Sequence, residues 1–212
     1  GMDNLMFWTC GPIRYVVERK YVPVNVDMHS LAPNIKVRLL RGGKHNRSRM
    51  LNDLAENTPR NEFVFSVLTK QYLAGRTIIL LSERISLVKW MKQKLTENEF
   101  LYNRDFGEHT GVVNQKERTE ALSKKIILAT YQKAKEGLDV PELDTLILAT
   151  PVSDVIQATG RILRELPNKA TPLVIDVWDK IEPFAGSGHA RRRYYKKQKF
   201  ELKDFDSTEE SD

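Results

Sequence analysis

Arg161 and Arg164 stand three residues apart in the stretch Gln157-Ala158-Thr159-Gly160-Arg161-Ile162-Leu163-Arg164. On a helix opened by Ser153 or Asp154, both guanidiniums project from one face. Two planar, always-charged donor forks on one face suit a polyphosphate. Alone, such a pair is commonly no more than solvated helix surface, so its neighbours decide. Upstream lies Glu136-Gly137-Leu138-Asp139-Val140-Pro141. Gly137 can bring backbone close to a ligand, and Asp139 offers a carboxylate or a turn-forming acceptor.

The elements that must hold these residues are two apolar runs, Ile126–Ala129 and Thr145–Ala149. Runs of that length bounded by turn signals read as strands buried on both faces, the kind found in parallel sheets. Loops at the carboxyl ends of such strands form the ligand crevice, and Thr130 and Thr150 begin two of them. The pattern repeats, with Thr77–Leu81 leading into a helix over Ile85–Leu95 and Glu108–Val112 into one over Gln115–Ser123. Leu173–Trp178 is the last core strand. Strands alternating with helices indicate a doubly wound α/β fold with a mainly parallel sheet and helices on both faces. Earlier, Val22–Met28 alternates apolar and polar residues as an edge strand would, and Asn34–Leu40 is a candidate for another. Arg41, Lys44, Arg47 and Arg49, with two glycines and His45, make a loop that either touches a phosphate backbone or is simply solvated. Helices are expected over Ser48–Asn57 and Asn61–Ala74, separated by Thr58-Pro59, with Gly75 stopping the second.

The order of these pieces carries a resemblance. Ala129-Thr130, the Glu136–Pro141 segment, a buried strand ending Ala149-Thr150-Pro151, and then Gln157-x-x-Gly160-Arg161-x-x-Arg164 is similar to motifs V and VI of superfamily 2 helicases. Thr77–Leu95 resembles motif IV with its following helix, and His109–Leu122 the strand-turn-helix between motifs IV and V. The match spans roughly Asn61 to Asp179 and implies the second RecA-like domain, a three-layer α/β/α unit. Ala158 stands where DEAD-box proteins have arginine, which points instead toward the DNA-translocating branch. The form of motif IV looks most like phage recombination helicases and the transcript-release helicases of large DNA viruses.

The resemblance implies roles. Arg164 would be the finger reaching the γ-phosphate of ATP, held with Mg2+ mainly by a preceding RecA-like domain. Arg161 would be a second phosphate contact. Gln157 and Gly160 of motif VI, with Gly137 and Asp139 of motif V, would line the nucleotide side of the cleft. Thr130 would touch a phosphate of the bound strand, and Glu83 and Arg84 lie where nucleic-acid contacts belong. Ser82 would either bond a phosphate oxygen or cap the helix that follows. The partners implied are DNA, duplex or single-stranded, with RNA possible, and the first RecA-like domain. An arginine finger is worth about 10³–10⁵ in rate in well-studied NTPases.

The 212 residues carry a net charge of +6 and a pI near 9.3, compatible with an anionic partner without demanding one. The single cysteine, Cys10, fits a reducing intracellular compartment, which for a viral protein means host cytoplasm or virion. No apolar run approaches a membrane span. Gly1 ahead of Met2 has the look of a residue left by tag removal. Neither a GxxxxGK[ST] phosphate loop nor a DExD/H motif occurs, so the chain reads as the carboxyl-terminal half of a larger enzyme, inactive alone. Four histidines lie scattered without metal-ligand spacing, and no metal site is expected.

The implied division is an interdomain linker with a remnant of the first domain over 1–34, the RecA-like domain over 35–182, a basic helix over 183–200 and an acidic disordered tail over 201–212. Gly186 and Gly188 suggest a flexible joint before that helix. Arg191, Arg192 and Lys196, interleaved with Tyr194 and Tyr195, suit phosphate contact and base stacking, or else a helix packed on the sheet with its charges in water. Two other readings compete with a helicase half. A nucleic-acid-binding scaffold without ATPase activity would have no reason to keep both arginines, and an ATPase subunit would lend them to a neighbour in an oligomer.

Overall fold

The computed structural model describes residues 23–136, 138–162 and 166–206, with backbone alone at 99, 100, 157 and 161. Expectations for Met2–Val22, Gly137, Arg164 and residues 207–212, and for the side chains of Gln157 and Arg161, lie outside the described residues.

Seven strands form one sheet, and every pairing in it is parallel. They are β1 (Asn25–Leu31), β2 (Ile78–Ser82), β3 (Phe106–His109), β4 (Ile126–Thr130), β5 (Thr145–Leu148), β6 (Leu173–Asp179) and β7 (Glu201–Asp206), in the spatial order β3-β4-β2-β5-β6-β1-β7. The helices are α1 (Arg47–Ala55), α2 (Thr58–Leu73), α3 (Ile85–Glu97), α4 (Glu99–Tyr102), α5 (Gln115–Ala121), α6 (Tyr131–Lys135), α7 (Ile156–Ile162) and α8 (Ala185–Lys197). Alternate residues of the central strands feed two apolar layers. Ile78, Leu80, Ile126, Leu128, Ile147 and Ile175 pack with Val64 and Leu68 of α2 and with Leu87, Val88, Met91 and Leu95 of α3. On the other face Ile79, Leu81, Ile127, Leu146 and Val174 meet Tyr131 and Ala134 of α6, Ile162 of α7 and Tyr195 of α8. This is the three-layer arrangement expected from the alternation of elements.

Caps follow the sequence. Asn46, Asn57 and Asn114 each accept a hydrogen bond from the backbone N–H three residues on, at 3.2, 3.0 and 2.9 Å, and so open α1, α2 and α5. Pro59 falls in the first turn of α2, where its missing N–H costs nothing, so the helix begins before the expected Asn61. Gly75 closes α2 at φ +80°.

Four expectations are corrected. The strand expected at Val22–Met28 is β1, and it is not an edge, because β6 and β7 pair with it on either side. Period-two alternation reports that one face is buried and the other half-covered, and says nothing of how many neighbours a strand has. The linker assigned to 1–34 therefore contains a strand of the sheet. Asn34–Leu40 is not a strand beyond one antiparallel bridge, Leu39 to His45. The tail expected to be disordered from 201 supplies β7 over Glu201–Asp206. Its Glu-Leu-Lys-Asp-Phe-Asp sequence has little strand propensity, and pairing with β1 is reinforced by Arg192–Asp204 and Lys180–Asp206 ion pairs and by Phe205 stacked on His29. The joint at Gly186 and Gly188 lies inside α8. There a Cβ on Gly188 would sit 2.0 Å from Trp178 Cδ1, so that glycine serves close packing.

Candidate functional site

Because all seven strands run the same way, their carboxyl ends share one edge. β2 and β5 are neighbours whose outgoing connections diverge. α3 packs on one face and α7 on the other, which makes the gap between the two strand ends the switch point of the sheet. Ser82-Glu83-Arg84 and Thr150-Pro151 border that gap.

Local bonds fix its walls. Ser82 is buried, and its Oγ accepts from Arg84 N at 3.0 Å and donates to Arg84 O at 2.9 Å. These bonds commit the Ser82 hydroxyl to the turn into α3; it does not cap that helix, whose N-cap is Arg84. Glu83 N donates to Thr150 Oγ1 at 2.8 Å, which clips the β2 loop to the β5 loop. Tyr131 Oη donates to Thr150 O at 3.0 Å from within the core, and burial holds that phenol in its protonated form. Glu83 is exposed. Arg84 reaches sideways, its Nε to Asn52 Oδ1 at 2.6 Å and its Nη2 to Ser48 Oγ at 3.1 Å. Arg47 donates to Pro151 O at 3.2 Å and lies 3.9 Å from Glu83, so α1 lines the same gap.

Thr130 lies beside Ser82 across the β2–β4 ladder. Its Oγ1 accepts from Lys133 N at 3.4 Å as the cap of α6, a bond that leaves its hydroxyl hydrogen uncommitted. Asp139 is exposed just beyond α6. Asp154 Oδ1 accepts from Ile156 N at 3.1 Å and starts α7, as expected of one of the two candidates. Gly160 and the backbone of Arg161 lie on α7, and a Cβ on Gly160 would meet no heavy atom within 4 Å.

The α8 residues present no free charge at this edge. Arg191, expected on a nucleic-acid surface, is 1% exposed and points inward. Its Nε and Nη2 donate to Asp176 at 2.7 and 2.6 Å, and its Nη1 donates to Val152 O at 2.6 Å. Burial alone would lower its pKa, but the adjacent Asp176 carboxylate raises it above the ordinary value, so it stays charged. Spacing could not reveal this, because Asp176 sits within the mainly apolar strand β6 and only the fold brings the two together. Arg192 is engaged with Asp204 of β7 at 2.5 Å. Lys196 is exposed in the last turn of α8, which runs back toward the amino edge of the sheet, away from the gap.

Sequence reasoning passed over Arg60 on α2. It is buried, donating to Asp179 at 2.6 and 2.9 Å and to Ala149 O at 2.8 Å, and so ties the ends of β5 and β6 together. The signal was an arginine in an apolar helix face paired with an aspartate closing a strand. Among the described residues, no group of three or more His, Cys, Asp or Glu is placed to hold a metal, and no helix is long and apolar enough to cross a membrane.

Known proteins resemble this chain in sequence and fold. The profile of the helicase conserved C-terminal domain matches residues 59–165. A putative ATP-dependent RNA helicase, L396 of Acanthamoeba polyphaga mimivirus, is 30% identical over 97% of this chain and 41% of its own length. A putative helicase, 161L of Invertebrate iridescent virus 6, is 26% identical over 93% of this chain and 46% of its own. The chain thus spans less than half the length of these relatives. Among solved structures, T4 UvsW superposes with a TM-score of 0.62 at 20% identity, over 86% of this chain and 41% of that one, a likeness of fold.

Proposed function

This chain belongs to the helicase conserved C-terminal domain family, the second RecA-like domain of superfamily 2 helicases, and from that premise we propose that it is the carboxyl-terminal half of an ATP-dependent helicase or translocase. In the whole protein it would lend Arg161 and Arg164 to ATP bound with Mg2+ mainly on the preceding domain. Its other task would be one of two grips on a nucleic-acid strand. The observation that carries the reading is the common edge: Glu83, Arg84, Thr130 and the start of α7 all leave the carboxyl end of one parallel sheet, around its switch point. The residues present fit a contribution to a nucleotide rather than a full pocket for one. A gap fixed by the Thr150–Glu83 clip supplies rigid walls, and Gly160 leaves room beside the helix for a close approach.

Bound ATP supplies the free energy that closes and reopens the two domains, and the residues of this chain convert that motion into altered grip on the phosphate backbone. The arginine after Gln157 that marks DEAD-box proteins is absent here, which favours DNA as the track. The name of the mimivirus relative favours RNA. The decisive experiment uses the longer protein that contains this chain. Arg164→Ala should lower nucleic-acid-stimulated ATPase by about 10³-fold or more while sparing nucleic-acid binding. Stimulated ATPase within a few-fold of the parent removes the finger assignment, and stimulation by DNA against RNA identifies the track.

A further inference from the structure

Between β1 and α1 the chain folds into a short hairpin over residues 38–46. Asn46 N donates to Arg38 O at 2.7 Å, Leu40 N to Lys44 O at 2.8 Å and Gly43 N to Leu40 O at 2.9 Å. Gly43 holds φ +75°, the left-handed residue that follows the turn in three-residue hairpins. The base is fastened. Arg38 pairs with Asp53 of α1 at 2.5 and 2.9 Å, and Asn57 Nδ2 donates to Asn34 O at 3.1 Å. Ile35 packs on Met50, Leu51, Leu54 and Phe184. The loop is exposed, but its base is pinned by these bonds.

Its surface has an unusual composition. From Ile35 to Asn52 there is no aspartate or glutamate, while Lys36, Arg41, Lys44, Arg47 and Arg49 are all exposed. Among these cations Val37, Leu39 and Leu40 are 60%, 58% and 52% exposed. Clustered cations repel one another, and aliphatic side chains in water forgo burial energy. Both costs are relieved by one kind of partner, a polyanion with apolar faces between its charges. Nucleic acid has that character, with phosphates spaced along sugars and base faces. The hairpin also adjoins the gap described above, since Arg47 at its foot reaches Pro151 O and Arg84 reaches Ser48.

We propose that this hairpin is a nucleic-acid contact. Arg41 and Lys44 engage backbone phosphates, and Leu39 and Leu40 lie against sugar or base faces where a duplex ends. The proposal rests on the helicase reading for its partner. The test is fluorescence anisotropy of the 212-residue chain with a labelled tailed duplex and a single strand of equal length, in DNA and RNA forms. It compares the parent, R41E/K44E, L39S/L40S and a charge-matched control, K70E/K116E. Thermal melts check that each variant folds, and the exposed sites predict unchanged midpoints.

Losing two phosphate contacts should weaken binding about tenfold or more at moderate salt and lower the slope of log K against log salt by roughly 1.4–1.8. The control should lose far less. L39S/L40S should keep the slope and lose affinity for the tailed duplex more than for the single strand. Parent binding with R41E/K44E no weaker than the control overturns the hairpin contact and leaves the helicase reading standing. A parent that binds neither nucleic acid overturns both the contact and the proposed track. Binding to phosphatidylserine vesicles tighter than to nucleic acid, and lost in L39S/L40S, also overturns it.

Discussion

Arg191 Nη2 and Asp176 Oδ1 lie 2.6 Å apart in the core, both effectively without solvent, and Tyr195 Oη donates to the same carboxylate at 2.7 Å. The pair binds α8 to the sheet, and Arg191 Nη1 reaches on to Val152 O in the segment that leads into α7. Tyr194 Oη adds a second tie to α7, 3.0 Å from Thr159 Oγ1. The C-terminal helix is therefore a strut behind the helix from which Arg161 comes. Breaking a buried ion pair by removing one member leaves an uncompensated charge, so Arg191→Met should destabilise the chain by about 3–5 kcal/mol. Urea unfolding followed by tryptophan fluorescence measures it. A loss below about 1 kcal/mol would show that the pair is not the anchor described.

Two glycines of α8 should respond oppositely to the same change. A Cβ on Gly188 would fall 2.0 Å from Trp178 Cδ1 and 2.1 Å from Nε1, so Gly188→Ala must displace an indole that donates to Ala185 O at 3.1 Å. Overpacking of this kind costs about 1–3 kcal/mol. Gly186 has nothing within 4 Å of its Cβ position, and Gly186→Ala should stabilise by roughly 0.5 kcal/mol through helix propensity. Thermal melts of the two variants run side by side decide this. Equal shifts in the same direction would contradict the packing described.

His109 closes β3 in a largely buried position, and burial lowers its pKa below the ordinary histidine value, with backbone O of Arg118 3.4 Å from Nδ1. A lowered folded-state pKa means the unfolded chain takes up the proton first as pH falls. The contribution of neutral His109 is thus complete above about pH 6.5 and is lost progressively below it. Stability measured between pH 8 and pH 5 should fall more steeply in the parent than in His109→Gln. Parallel curves for the two would show that His109 titrates no differently in the folded chain.

The parallel core is legible in the apolar runs alone. Ile126–Ala129, Leu146–Ala149 and, apart from Asp176, Leu173–Trp178 are apolar without alternation, as strands covered on both faces are. The order of those strands with their following segments also placed Ser82, Glu83, Arg84, Thr130 and Gly160 on one side of the molecule, because parallel strands have a single carboxyl edge. The start of α5 after Asn114 and the end of α2 at Gly75 are legible too, whereas the start of α2 at its Asn57 cap is not, because the sequence alone places Asn57 in the preceding helix.

Tertiary structure decided which charges face water and which strands have two neighbours. Arg191, Arg192 and Lys196 look alike in a basic run, yet the first is sealed against Asp176, the second held by Asp204 and the third left in solvent. The carboxylate partners of Arg191 and Arg192 lie on β6 and β7, fifteen and twelve residues away along the chain. β7 itself forms from a charged hexapeptide because an unfilled ladder on β1 accepts its backbone, whatever its side chains prefer. Ion pairs and edge pairing are long-range facts. Their partners are chosen by where the folded sheet brings the chain back, and residue spacing carries no record of that.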